Sequence, residues 1–417
     1  MRGPFLLAGS IAFHGATLID GTGAPPRRGA LLVVSDGRIV SVGDATPEAL
    51  RALPAETRTV ALSGQWIVPG LIDAHVHAEG PEDLRQMLRW GVTSARLMAE
   101  DVASARDLAS DSRTRLDVPD LFPAAPIFTT RGGWWEEAPA GAVDRFPASV
   151  EGARRAVEKA ARLGTAEIKL MFDDMRWCRD PRPPLQRMPE AVAGTLIETA
   201  AKRGLRSIVH APQLPDARRA VARGAGALAH GVLERLDAET IATMARRPVF
   251  YIPTMGIFEF LADTARFVDS ILADPRAVRG LPAETVKRYR SPAYSSGYRE
   301  KYPGFGRVAA ALPALRANLV ALHAAGVPVA MGTDMWAFPG LGASAEIDLY
   351  VRAGLPPLAA IRSATQTAAR SLGLSDRGAL TPGQRADFLV LAESPLEDAR
   401  NLRAIEAVFK GGRETPR

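Results

Sequence analysis

The chain has 417 residues, of which 47% are apolar and 24% charged, a balance typical of a globular protein with a large core. Its net charge of +6 does not predict a nucleic-acid partner, because the basic residues are scattered and never form a run of five or more. No stretch of 18 apolar residues occurs, and the single cysteine, Cys178, excludes an internal disulfide. We therefore expect a cytoplasmic protein without a membrane or nucleic-acid partner.

The first 66 residues are predicted to form short β-strands joined by tight turns. Apolar and polar residues alternate in IAFHGATLID and GALLVVSDGRIVSVGD, and the S-D-G sequence between alternating runs is typical of a turn. After residue 376 the same pattern returns in GALTPGQRADFLVLAESP. Residues 1–66 and 376–417 are therefore predicted to pair into one small β-sandwich domain.

Residues 67–375 repeat a helical stretch, a glycine and a short apolar run. The glycines are Gly91, Gly164, Gly204, Gly224 and Gly326, and each suits the left-handed position that ends a helix. With three further apolar runs, IVPGLIDAHVH, DLFPAAPIFTT and PVFYIPTMG, the repeats supply eight strands. The predicted fold is α/β: a (β/α)8 TIM barrel over 67–375, with the active face where its strands end.

Metal-binding side chains are predicted at the ends of five barrel strands. The two histidines of LIDAHVH alternate in strand 1 and so point to the same face. The others follow the glycines by about one strand length, at the ends of strands 4, 5, 6 and 8. Alone, each could be a core histidine or a helix cap, but together they suit zinc or a similar divalent ion. The six predicted ligands are His75, His77, Lys169, His210, His230 and Asp334.

The chain resembles the amidohydrolase superfamily of metal-dependent hydrolases, in its imidazolonepropionase and prolidase-like branch. The resemblance is carried, in the family's order, by VPGLIDAHVH, EIKLMF, SIVHAP, ALAHG, VPVAMGTD and the tail GALTPGQRADFLVLAESPLEDARNLRAIEAVFKGGR. It implies a barrel with a β-sandwich from both termini, and two divalent metal ions such as zinc.

The resemblance also implies a role for each ligand. The strand-1 histidines and Asp334 would hold one ion, and His210 and His230 a second. Lys169 would carry carbon dioxide as a carbamate that bridges both ions, because a bare ammonium cannot ligate a metal. Asp334 would take a proton from a bridging water and deliver it to the leaving group, while His210 or His230 stabilises the oxyanion.

The identity of two residues that follow strand 5 limits the reactions that the site is expected to catalyse. Gln213 stands where the mononuclear deaminases of the superfamily have a glutamate, and Pro212 stands where related dipeptidases have a tyrosine. The first hypothesis is therefore hydrolysis of an amide bond in an N-acyl amino acid or a peptide-like small molecule. A lactonase or phosphotriesterase on the same metals is the alternative enzyme, and a metal-free structural homologue is the alternative outside enzymes.

The predicted cavity wall is aromatic and basic, and suits a bulky substrate that carries a carboxylate. Four tryptophans follow strands 3, 4 and 8, with two arginines close to them, although the tryptophans could equally only pack loops onto the barrel rim. Residues 256–312 are longer than a barrel connection needs and form a candidate lid. A homo-oligomer is expected. The candidate substrate residues are Arg131, Trp134, Trp135, Arg176, Trp177 and Trp336.

Overall fold

A computed structural model describes residues 9–78, 80–99, 101–137 and 141–416. Its strands are β1 (Ile11–Leu18), β2 (Arg27–Ser35), β3 (Arg38–Asp44), β4 (Arg58–Ala61), β5 (Trp66–Pro69), β6 (Leu71–Val76), β7 (Val92–Met98), β8 (Asp120–Ala124), β9 (Ile127–Phe128), β10 (Glu167–Met171), β11 (Arg206–His210), β12 (Ala227–Ala229), β13 (Phe250–Ile252), β14 (Phe388–Leu391), β15 (Ile405–Lys410) and β16 (Arg413–Glu414).

Its helices are α1 (Pro47–Arg51), α2 (Pro81–Arg89), α3 (Val102–Thr114), α4 (Val150–Arg162), α5 (Arg176–Arg179), α6 (Glu190–Lys202), α7 (Leu214–Ala222), α8 (Ala238–Arg246), α9 (Met255–Ala262), α10 (Thr264–Leu272), α11 (Pro275–Gly280), α12 (Ala283–Tyr289), α13 (Pro292–Lys301), α14 (Phe305–Ala324), α15 (Leu341–Ala353), α16 (Pro357–Ser363) and α17 (Gln366–Ser371). A 3-10 helix spans Ala399–Arg403.

Strands from both ends of the chain form one mixed sheet. Its order is β16-β15-β14-β5-β1-β2-β3, with β4 paired to β1, and the two ends meet where β5 and β14 run antiparallel. Phe388 and Phe409 stack at 4.4 Å between ring centroids, and Phe13 meets both edge-on. The pairing of the termini is as expected, but the hydrogen bonds define a single sheet, so a two-sheet sandwich is not confirmed.

The five glycines predicted to end helices all adopt the left-handed conformation. The φ angles of Gly91, Gly164, Gly204, Gly224 and Gly326 are 87°, 83°, 71°, 85° and 78°. An L side chain is strained at these angles. Four of these glycines come shortly before a described strand, β7, β10, β11 or β12, whereas the segment after Gly326 contributes only an isolated bridge at Val329.

Two parallel sheets follow the terminal strands: β6-β7-β8 and β9-β10-β11-β12-β13. The α/β fold with parallel strands is therefore confirmed. The segment before Asp334 lies between them, because Tyr251 and Val329 form an isolated parallel bridge and the Ala74 N–H donates to the Met331 carbonyl at 2.8 Å. These hydrogen bonds cross the gap without a continuous ladder, so a closed eight-stranded ring is not confirmed.

A buried ion pair also joins the two parallel sheets, across the gap between β8 and β9. Arg96 of β7 donates from Nε to Glu167 Oε2 at 2.7 Å, and Arg206 of β11 donates to Glu167 Oε1 at 2.6 Å. The Ala125 N–H also donates to the Glu167 carbonyl at 3.1 Å. Arg96 and Glu167 are almost fully buried, so removing one partner would leave an uncompensated charge in the interior.

The terminal sheet is tied to the parallel sheets by a buried lysine. Lys410 of β15 donates from Nζ to the carbonyls of Ser112, Arg115 and Val118 at 2.8 to 2.9 Å, and lies 2.7 Å from Asp120 Oδ1. The ammonium thus caps the end of α3. The boundaries predicted at residues 66 and 376 are not tested by this contact and stay a prediction.

The candidate lid at 256–312 is helical. It contains most of α9, then α10 to α13 and the start of α14. Aromatic contacts occur within it and to the rest of the fold: Phe260 meets Tyr298 edge-on at 4.8 Å inside the segment, and Tyr298 stacks near Trp336, outside it, at 6.2 Å. The segment therefore packs as an ordered wall over the strand ends.

Helix α14 is the one described helix that is long and apolar enough to cross a membrane by length and composition. Its central Asn318 donates to the carbonyls of Val232 and Glu234 at 2.9 and 2.8 Å, and accepts from the Leu236 N–H at 2.9 Å. These contacts hold the helix against the loop that follows β12.

Candidate metal centre

Three predicted ligands meet where β6 ends. His75 Nε2 lies 3.6 Å, and His77 Nε2 3.5 Å, from Asp334 Oδ1. One ligand atom from each of the three residues lies within 4.8 Å of the other two. The backbone supports this arrangement, since the Asp334 N–H donates to the His75 carbonyl at 2.9 Å. The first predicted set of ligands is therefore brought together.

A buried carboxylate that the sequence reasoning missed holds these two segments in place. Asp73 accepts hydrogen bonds from the His75 N–H at 3.0 Å, the Thr333 N–H at 3.0 Å and the Thr333 hydroxyl at 2.7 Å. Burial raises the pKa of Asp73 to about 6, and these three donors oppose that rise. An acidic residue inside the otherwise apolar run LIDAHVH was the available signal.

The second predicted pair lies directly beside the first set. The rings of His210 and His230 are 4.5 Å apart between centroids, and His230 is 4.7 Å from His75. His230 Nδ1 lies 3.6 Å from Asp334 Oδ2. Four imidazoles and one carboxylate thus share one site, as the strand-end positions predicted.

Lys169 lies in the same cluster, with only 2% of its surface exposed. Its Nζ has no hydrogen-bond partner among the described residues. Burial lowers the pKa of Lys169 to about 7, against the opposing charge of Asp334. A lowered pKa leaves more of the neutral amine, which is the form that reacts with carbon dioxide.

The four histidines are held neutral. Burial, the largest cause, and the charge of Lys169 lower the pKa of each ring, that of His77 to about 3. Both ring nitrogens of His75 and Nε2 of His210 are buried without a hydrogen-bond partner in the described part of the chain. Each such group costs about 1 to 3 kcal/mol of stability, and neutral imidazoles with free lone pairs are metal ligands. This donor set fits divalent metal ions.

A loop after β13 orients His230. Thr254 Oγ1 lies 2.9 Å from His230 Nδ1, which leaves Nε2 of that ring for another partner. Thr254 has φ of 45°, a strained conformation for a β-branched residue. The loop is clamped by Glu346 of α15, whose buried carboxylate accepts from the N–H groups of Met255 at 2.6 Å and Gly256 at 2.5 Å. Nothing in the sequence indicated either contact.

A carboxylate lies near His210 without a hydrogen bond to it. His210 Nε2 is 3.5 Å from Asp173 Oδ2, and that oxygen accepts from Trp177 Nε1 at 2.8 Å. Gln213, which occupies the glutamate position of deaminases, donates instead to Asp174 at 3.2 Å. Gln213 is therefore engaged in a separate polar network.

A cavity of about 800 Å³ opens over the cluster. All four tryptophans predicted to line it do so, but Arg131 and Arg176 are absent from its described lining. Arg131 has 75% of its side chain exposed and lies 3.7 Å from Glu136, while Arg176 pairs with Asp174 at 2.6 Å. A substrate role for these two arginines stays a prediction. The lining residues that the sequence reasoning missed include Arg179, Tyr298, Lys301 and Tyr302.

Comparisons with known proteins agree with this geometry. A family model described as the amidohydrolase family matches residues 66–415. Ochratoxinase of Aspergillus niger is 27% identical over 455 aligned positions, covering 96% of this chain and 85% of that protein. An imidazolonepropionase of Deinococcus radiodurans is 27% identical, covering 87% of this chain and 85% of its own. A solved structure of a Xaa-Pro dipeptidase with bound methionine aligns with a TM-score of 0.73 at 21% identity, over 98% of this chain and 100% of that chain.

The family model covers most of the chain, including the stretches around His75 and Asp334 that carried the resemblance. It also spans the terminal strands β14 and β15. The chain therefore belongs to the amidohydrolase family and is a hydrolase.

Proposed function

We propose that this hydrolase cleaves the amide C–N bond of an N-acyl amino acid or a peptide-like small molecule. One observation carries the proposal. Four neutral histidines, Asp334 and a buried amine without a partner form the floor of an aromatic cavity. Such a floor suits metal-assisted attack of water on a carbonyl, and the wall suits an apolar substrate.

The same residues define how two ions would be held. His75, His77 and Asp334 would bind one divalent ion, with zinc as the first candidate, and the strand-5 and strand-6 histidines a second. Lys169 would bind carbon dioxide as a carbamate and become an anionic oxygen ligand between them. When bound, such ions polarise the substrate carbonyl and lower the pKa of water.

Proton transfer is assigned to Asp334. Its Oδ1 faces the two strand-1 histidines and its Oδ2 faces His230, so the carboxylate stands between both sets of ligands. In the proposed reaction Asp334 takes one proton from the attacking water and delivers it to the amide nitrogen as the C–N bond breaks. The products are a carboxylic acid and an amine. His210 or His230 would stabilise the charge on the carbonyl oxygen.

The relatives support an amide substrate over the alternatives. A dipeptidase cleaves a peptide bond, and two enzymes with the names ochratoxinase and imidazolonepropionase share over a quarter of their aligned residues with this chain. Lactone and phosphotriester hydrolysis use similar metal sites, so esters and phosphotriesters belong in the same activity screen.

The proposal also covers the domain architecture, the oligomeric state and the cellular location of the protein. The hydrogen bonds of Ala74 and Ala125 across the sheet gaps support one (β/α)8 barrel over residues 67–375. We assign residues 1–66 and 376–417 to a composite β-domain, with a homo-oligomer in the cytoplasm as the working state.

The decisive experiment is elemental analysis of metal per chain, on protein purified without chelator and with bicarbonate present. We expect about two equivalents of zinc or a similar ion, and release of a carboxylic acid from an N-acyl amino acid. One equivalent would remove the bridging carbamate from the proposal. Two equivalents with turnover of esters or phosphotriesters alone would replace the amide by those substrates.

A further inference from the structure

Two basic side chains line the substrate cavity without a carboxylate partner. Outside the metal cluster, the basic residues of its lining are Arg179 and Lys301. In the part of the chain that the structure describes, neither has a carboxylate oxygen within the 4.0 Å of an ion pair. Nearby arginines are engaged by contrast: Arg176 lies 2.6 Å from Asp174. Arg179 donates from Nε to the Pro183 carbonyl at 2.9 Å, so the terminal nitrogens of its guanidinium and the Lys301 ammonium are the groups that can meet an anion from solution.

Both cations come from segments that contact each other. Arg179 ends α5 and Lys301 ends α13. The Gly304 N–H donates to the Cys178 carbonyl at 2.9 Å, and the Arg182 guanidinium donates to the Lys301 carbonyl. The approach is close enough to require glycine, because a Cβ at Gly304 would lie 2.6 Å from the Trp177 carbonyl oxygen. The two positive groups thus stand on the same side of the cavity.

An aromatic surface adjoins these cations. Tyr298, Lys301 and Tyr302 are spaced i, i+3 and i+4, so they share one face of α13 and its C-terminal end, and all three line the cavity. Lys301 Nζ lies 5.4 Å from the Tyr302 ring centroid. The Tyr298 hydroxyl accepts from Trp336 Nε1 at 2.7 Å, which fixes the Trp336 indole at this face. The face therefore offers a positive charge beside three aromatic rings.

The carboxylates of the cavity wall lie on another loop. Glu136 and Glu137 follow β9 and also line the cavity. Glu136 accepts from the Gly132 N–H at 2.7 Å and lies 3.7 Å from Arg131. Its charge is thus partly satisfied there, and the α5 and α13 side keeps its positive character.

We propose that Arg179 and Lys301 bind the carboxylate of the substrate, while Tyr298, Tyr302 and Trp336 contact an aromatic group next to it. The substrate class is an N-acyl aromatic amino acid, and this assignment rests on the proposed amide hydrolysis. Guanidinium and ammonium groups form charge-assisted hydrogen bonds to carboxylates, and flat aromatic walls exclude water from them. This proposal places the anion site on two residues of neighbouring segments, both in the cavity lining, where Arg131 and Arg176 are absent.

The test compares two amides that differ in one group. N-benzoyl-L-phenylalanine carries a carboxylate, and N-benzoylphenethylamine has hydrogen in its place. Release of benzoate gives kcat/KM for both, and quenching of tryptophan fluorescence gives their binding constants. We expect the wild-type protein to favour the acid, and Lys301→Met and Arg179→Met each to lower that preference about tenfold. Arg299→Met on α13 is the matched control, because Arg299 is exposed and lies outside the lining.

The outcomes separate this inference from the proposed function. Equal turnover and equal binding of the two amides by wild-type protein would overturn the carboxylate site and leave amide hydrolysis standing. A preference for the acid that Lys301→Met and Arg179→Met leave intact would also overturn it. Failure to hydrolyse either amide, with tighter binding of the acid that both variants abolish, would keep the site and remove these amides as substrates.

Discussion

The metal cluster and the cavity wall above it are built in opposite ways. The cluster is built largely from residues in or directly after parallel strands, and its buried polar atoms at His75, Lys169 and His210 have no hydrogen-bond partner among the described residues. The wall stands on inserted helices, and its aromatic rings pack edge-to-face and donate to one another, as Trp336 does to Tyr298. The unpaired ligand atoms of the cluster therefore lower the stability of the fold, whereas the aromatic groups that shape the cavity wall raise it.

Replacing Lys169 is the strongest way to test this contrast. In Lys169→Ala we expect kcat/KM to fall by about a thousandfold or more, close to 4 kcal/mol, because the proposed carbamate ligand is lost. The metal-free variant should be as stable as the metal-free wild type, since a buried amine without a partner is removed with its side chain. Metal per chain, turnover and thermal unfolding after chelation measure the three effects.

The exposed Lys159 of α4 supplies the matched control, and Lys159→Ala should change none of these values. Full activity in Lys169→Ala with two bound metals would rule out the carbamate. Strong destabilisation of the chelated variant would show that Lys169 is a structural residue after all.

The loop that orients His230 should give an intermediate effect. Thr254→Val keeps the shape and the backbone strain but removes the hydroxyl that lies 2.9 Å from His230 Nδ1. We expect metal affinity about 10 to 100 times weaker, because a ring without its outer partner is less well oriented. Thr254→Ser should retain most of the affinity. Competition with a chelator and the visible spectrum of the cobalt-substituted protein report on the geometry of the site.

Glu346→Gln tests the next contact, between Glu346 and the loop that carries Thr254. It places an amide where a carboxylate now accepts from the Met255 and Gly256 N–H groups, so the loop that carries Thr254 should loosen. Weaker metal binding in Glu346→Gln and Thr254→Val, with an unchanged Thr243→Val control on α8, would support the connection. An unaltered cobalt spectrum in both variants would limit these residues to packing.

The sequence indicated that these side chains come together because local rules locate the strands that carry them. Side chains alternate along β6 and the residue after it, which puts His75 and His77 on one face, and left-handed glycines precede β10, β11 and β12. His210 ends β11 and His230 follows β12 as expected, but Lys169 lies in the middle of β10 and not at its end.

The wall could not be predicted in the same way. Lys301 and Tyr298 reach the cavity because α13 folds back over the strand ends, and Arg131, which lies 3.7 Å from Glu136, is absent from the described lining. Glu346 is 90 residues or more from the N–H groups it accepts from. No short sequence pattern contains such long-range packing, whereas Asp73 is marked in the sequence as the acidic residue within the apolar run LIDAHVH.

The smallest predicted effect concerns the hydrogen bond between the wall and the loop after Asp334. Trp336 is two residues from that ligand, and its Nε1 donates to Tyr298 at 2.7 Å. Removing the bond in Tyr298→Phe should raise KM about fivefold with little change in kcat, the effect of about 1 kcal/mol, because the aromatic packing remains. A double-mutant cycle with Trp336→Phe isolates the bond from the ring contacts. Non-additive KM changes would mean that the helical wall and the metal-binding loop act as one unit, and strictly additive changes would separate them.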